Sequence, residues 1–134
     1  MRVSSIVSST CLVVAVVVLV APAFADGFDG TYLGTSTLKN QSQDIGGSRF
    51  RCTPSSEVRY VISGQTIQSE NLDTGLQGSG VIQPDGSFTT HASRGTGTQS
   101  STQGKIDSKG VHGTFTTLLT GGLKCEGTVE ATRR

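Results

Sequence analysis

The chain has 134 residues with 11 basic and 10 acidic side chains, two histidines and a formal net charge of +1. Charge so balanced offers no electrostatic footprint for nucleic acid or for an anionic membrane surface, and excludes both from the expected partners. Aromatic residues make up 5% of the chain and 18 positions are glycine, so any core must be thin.

The chain opens with Met1 and Arg2, a short polar stretch, and an apolar block from Cys11 through Ala21. Ala21-Pro22-Ala23-Phe24-Ala25 then precedes Asp26. A charged start, an apolar run of about 11 residues and a small-x-small site form the pattern of a secretory leader. Such a block falls short of the roughly 20 residues a spanning helix needs, and no later run approaches that length. Residues 1–25 are therefore expected to be a cleaved signal peptide, and residues 26–134 a single domain with no membrane span. Periplasmic or extracellular residence follows.

Beyond the leader, glycine, serine and threonine make up roughly two-fifths of the residues, and large apolar side chains are few. This composition leaves little room to expect a large enclosed ligand cavity. No stretch shows the i, i+3, i+4, i+7 apolar spacing of an amphipathic helix, whereas short alternating segments recur between Gly, Pro, Asn and Asp clusters. The pattern predicts an all-β fold, an antiparallel up-and-down β-barrel or sandwich of roughly nine short strands with one disulfide. In chain order the strands are expected over Thr31–Leu38, Ser48–Thr53, Glu57–Ser63, Gln65–Glu70, Leu76–Gln83, Ser87–Ala92, Gln99–Asp107, Val111–Leu119 and Leu123–Ala131. The linkers are short, which favours hairpins over crossovers.

Turn chemistry suggests the registers. A three-residue loop around Pro54-Ser55-Ser56 would pair Cys52 with Val58 and Phe50 with Tyr60 on the inner face, placing Arg49, Arg51 and Arg59 outside. A tight turn at Ser63-Gly64 would pair Tyr60 with Ile67. Pro84-Asp85-Gly86 suits a type I turn followed by a left-handed glycine, pairing Ile82 with Phe88. Thr120-Gly121-Gly122 pairs Leu119 with Leu123 and lays Phe115 over Gly127. The segment from Ala92 to Gly104 carries almost nothing apolar and reads as a mobile loop or a flat edge.

Three stretches share the form apolar-x-Gly-Thr-apolar: Phe28 to Tyr32, Val111 to Phe115 and Cys125 to Val129. Glycine within such strands permits the bending that barrel closure requires. The segment Phe28-Asp29-Gly30-Thr31-Tyr32-Leu33-Gly34-Thr35 resembles the first strand of calycin-type barrels, notably fatty-acid-binding proteins. A closer likeness is to small exported bacterial proteins that open with the same Asp-Gly-Thr-Tyr element and carry two cysteines. The resemblance implies a closed or nearly closed antiparallel sheet and implies nothing about a ligand. The helical lid of the intracellular barrels has no counterpart, because Lys39 to Gly47 is too short to form one.

Cys52 and Cys125 are the cysteines that remain after the leader. An even pair in an oxidising compartment is expected to form a disulfide, and closing a loop of about 74 residues is worth roughly 4 kcal/mol in the chain-entropy model. The pair is not expected to hold zinc, since no further Cys or His stands at ligand spacing, and Asp26, Asp29 and Asp44 form no calcium loop. Neither metal nor cofactor is expected.

Candidates for catalysis are sparse. The two histidines are His91 and His112, there is no Gly-x-Ser-x-Gly, and a hydrolytic arrangement would have to place His112 beside Asp107 or Asp85. The threonine-rich stretches lack the strict repetition that an ice- or sugar-binding array needs, and threonine is simply a good outward residue on a strand. The strongest constellation is the arginine group Arg49, Arg51 and Arg59. Arg51 opposite Arg59 would be unfavourable across a strand pair unless an anion or carboxylate offsets it, or unless Glu57 and Glu70 neutralise it as a surface cluster. The chain is accordingly expected to be a non-enzymatic binding or interaction module for a small molecule, glycan or protein. The alternatives are an inhibitor of a secreted hydrolase that inserts the Ala92–Gly104 segment and, third, an uncharacterised enzyme.

Overall fold

The computed structural model describes residues 26–42, 51–95 and 97–134. Among them are eight strands: β1 (Gly30–Gln41), β2 (Ser55–Ser63), β3 (Thr66–Asn71), β4 (Gln77–Ile82), β5 (Ser87–Arg94), β6 (Thr98–Asp107), β7 (Gly110–Leu118) and β8 (Lys124–Arg133). Each pairs antiparallel with the next, and β8 returns to β1, closing an up-and-down barrel. A sandwich is thereby ruled out. The expected signal peptide, residues 1–25, lies outside the described residues.

The expected strand over Ser48–Thr53 is not formed in its described part: Arg51, Cys52 and Thr53 have no ladder partner. β2 starts at Ser55 and pairs with β1 instead, Tyr32 opposite Tyr60 and Gly34 opposite Val58. The alternation of Phe50 and Cys52 imitated a strand, but Cys52 is buried because it is bridged to β8. At the next hairpin the register differs by two residues from expectation, with Ile62 opposite Ile67 and Tyr60 opposite Ser69. A shift of two keeps every side chain on its face, so the inner pattern is as expected. The other registers are the expected ones: Ile82 opposite Phe88, Phe115 opposite Gly127, and Leu119 bonded to Leu123 through its N–H at 2.8 Å. Gly86, at φ 87°, supplies the left-handed position of the Pro84–Gly86 turn.

The segment Ala92–Gly104 is not an edge, and its described residues are mostly strand. They belong to the β5–β6 hairpin, with Arg94 opposite Thr98, Ala92 paired with β4 and Gln99–Gly104 paired with β7. Closure leaves no edge strand in the barrel, so a wall segment does not need large apolar residues to be ordered.

Inward positions divide the barrel into two halves. At the end where β1 begins, Tyr32, Ile62, Ile67, Ile82, Phe88, Ile106 and Val111 fill the interior, each at most 4% exposed. A 3₁₀ turn over Asp26–Phe28 plugs this end, with Phe28 packed on the core. The Tyr32 hydroxyl donates to the Phe28 carbonyl at 2.8 Å, Asp29 accepts the Gly64 N–H at 2.8 Å, and the Arg133 guanidinium lies 5.5 Å from the centre of the Tyr32 ring. A second, smaller cluster of Cys52, Leu123 and Cys125 lies towards the other end.

The outer wall is polar. Its large exposed apolar residues among the described ones are Val61, Val81 and Leu118, while Leu72 is exposed in the β3–β4 loop. No helix among the described residues is long and apolar enough to cross a membrane.

Candidate ligand cavity

In the half of the barrel away from the Asp26–Phe28 turn, the inward residues become small and hydroxylated. Ser36, Ser69, Thr90, Ser100, Thr102 and Thr117 line a cavity of about 460 Å³, together with Val58, Tyr60, Phe115 and Val129. The space is open at the end of the barrel, and so is not the large enclosed cavity that a thin core argues against. An eight-stranded closed barrel has a diameter fixed by its strand number and stagger, so small inward side chains leave space instead of drawing the walls together.

The hydroxyls are organised within the wall. Ser100 and Thr117 share a hydrogen bond at 2.8 Å across β6 and β7, and Ser36 donates to the Ser56 carbonyl at 3.4 Å. The Tyr60 phenol is 2% exposed. Burial pushes its pKa up to about 12, against the smaller opposing effect of its hydrogen bond with Thr102. Tyr60 is therefore a neutral group at any ordinary pH.

Above the cavity, the Cys52–Cys125 disulfide joins the segment 51–54 to β8, with Cα atoms 5.7 Å apart. Both sulfur-bearing residues line the cavity, as does Leu119. The segment is also held to β1, where the Leu38 N–H donates to the Pro54 carbonyl at 2.8 Å. The expected disulfide thus forms and helps to roof the cavity.

The arginine constellation is dispersed. Arg49 lies outside the described residues. Arg51 lines the mouth of the cavity. Arg59 stands opposite Leu33 on one side and Glu70 on the other, and its guanidinium is bound to the Glu70 carboxylate on the outer wall. Arg51 therefore does not face Arg59, and Arg59 is an ordinary cross-strand ion pair. Sequence reasoning missed Arg94, which also lines the cavity and donates to the Thr74 carbonyl in the β3–β4 loop. Its position was readable: alternation from Phe88 through Thr90 and Ala92 carries Arg94 to the inner face at the end of β5.

The structure brings His112 beside Asp107, Nε2 to Oδ1 3.4 Å, both half-exposed at the end remote from the cavity. His112 Nε2 has no hydrogen-bond partner at that distance and geometry. The Asp107 carboxyl is held below its usual range chiefly by the Lys109 N–H, which caps the β6–β7 turn. Asp85 plays the same part in the β4–β5 turn, lowered by the Ser87 hydroxyl and N–H. Both carboxylates have a structural task in their turns. His91 lies on the outer wall, and among the described residues no three His, Cys, Asp or Glu side chains gather as a metal would require.

No family model, curated protein or solved structure matches the chain.

Proposed function

We propose that this chain is a non-enzymatic exported binding module that holds a small molecule in the open half of its barrel, in the periplasm or outside the cell. The observation that carries the reading is the cavity of about 460 Å³, bounded by named side chains of four chemistries: hydroxyl, phenol, aliphatic and guanidinium. Its volume lies within the range of small-molecule sites, and a mostly neutral lining with a few polar groups is how such sites obtain affinity together with orientation. A disulfide-bonded barrel suits an oxidising compartment, in line with the leader pattern that ends at Ala25. An inserting inhibitory loop has less support, because the segment that would form it is a paired hairpin with only three residues between Arg94 and Thr98.

The test is native mass spectrometry of the protein recovered from the exported fraction, with the start of the mature chain read in the same experiment. The mature chain is expected to begin at Asp26 and to carry an added mass that is lost on denaturation. Ala92→Phe places a ring in the cavity and should abolish that mass. A bare parent protein that also takes up no added small molecule would refute the reading.

A further inference from the structure

The geometry points to an anionic amphiphile as the ligand, a molecule with one carboxylate- or sulfonate-type group at the cavity mouth and a neutral body inside. This rests on the cavity reading above and adds the chemical class of what is bound.

Charge is distributed unevenly along the cavity. Its deep lining, Val58, Tyr60, Thr90, Thr102, Phe115 and Val129, is neutral, and Tyr60 keeps its proton. A ligand charge buried there would be desolvated with no partner, so any charge must lie at the mouth. The mouth is where the two arginines are. Arg94 is held by the Thr74 carbonyl, which occupies one of the five N–H groups of the guanidinium, and Arg51 lies beside the disulfide on the segment 51–54.

Among the described residues no carboxylate forms an ion pair with Arg51 or Arg94. Glu70 reaches the cavity rim, but its carboxylate is taken by Arg59 on the outer wall. Asp73 accepts the Glu57 N–H at 2.9 Å and so closes the β3–β4 loop onto β2. Two guanidinium groups over a neutral cavity favour an anion, because each can bind a planar or tetrahedral oxyanion through paired N–H donors.

The experiment compares two fluorescent probes with the same ring skeleton, anilinonaphthalene sulfonate and the neutral phenylnaphthylamine, titrated into the mature protein. The parent is expected to bind the sulfonate about tenfold or more tighter than the neutral probe, a preference that shrinks as salt is raised. Arg51→Ala with Arg94→Gln should remove the preference while leaving the neutral probe's affinity within about twofold. Arg51→Glu lies outside the strands and, on its own, should reverse the preference, which keeps the test available if the double variant fails to fold. Equal affinities in the parent, or a parallel loss of both probes in the variants, would overturn the charge inference and leave the cavity reading standing. If neither probe binds the parent, or if Ala92→Phe still binds both, the cavity reading falls and this inference with it.

Discussion

The Phe115 ring covers Gly127 on the neighbouring strand, so that a Cβ added at Gly127 would fall 2.6 Å from Phe115 Cε1. The pairing is reciprocal, since Gly113 of the same stretch stands opposite Val129. Two of the three apolar-x-Gly-Thr-apolar stretches thus meet antiparallel, each glycine opposite the other's closing apolar residue. Gly127→Ala must displace both the ring and the β1 backbone at Thr37. The expected cost is about 1–3 kcal/mol, read as a lowered midpoint in urea with an unchanged slope. Alanine tolerated without loss would mean that both the ring and the β1 backbone have room to move.

Arg59→Ala separates the outer ion pair from the cavity. Arg59 and Glu70 have side chains 45% and 22% exposed, so solvent screens their attraction. Stability should change by less than about 1 kcal/mol, and the change should shrink in high salt. Probe binding should be unaffected. A large loss of binding in this variant would restore Arg59 to the site.

How much of this was legible in the sequence depended on how local the cause was. The turns at Pro84–Gly86 and Thr120–Gly122 were correctly placed because a left-handed glycine and its neighbours fix them within a few residues. The partner of β2 was not, because a long β1 competes for it and only closure of the whole barrel decides between the candidates. Cys52 looked like a strand residue since burial by a disulfide and burial by alternation leave the same mark. The cavity and Arg94 were missed for one reason. A segment poor in large apolar residues reads as loop in a packed domain, whereas a barrel wall facing open space needs only the alternation.

The Cys52–Cys125 bridge should account for a large share of the stability. It spans 73 positions in sequence and ties the segment after β1 to β8 beside the small cluster around Leu123. Replacing both cysteines by alanine is expected to lower stability by roughly 2–5 kcal/mol, and the midpoint by ten degrees or more. Thermal melts of parent and double variant check this. Two titratable thiols in the native protein, or superimposable melts, would contradict it.

Tyr60 should give the fold a dependence on alkaline pH that can be assigned to one side chain. In the folded barrel its phenol is pushed up to about 12, chiefly by burial, while in the unfolded chain it returns to about 10. The native state therefore retains a proton that the unfolded state has lost, and stability falls as pH rises through this window. The contribution is fully present below about pH 10 and disappears as the folded pKa is passed, for a total on the order of 2–3 kcal/mol. The informative quantity is the difference between parent and Tyr60→Phe. The variant gives up the hydrogen bond with Thr102 and should be less stable by about 1 kcal/mol at neutral pH. Its stability should then fall less steeply than the parent's between about pH 10 and 12, and the two curves should converge and cross. Urea unfolding at a series of pH values measures both slopes. Parallel slopes would mean that the phenol ionises as readily in the barrel as in water, and that the floor of the cavity is wet.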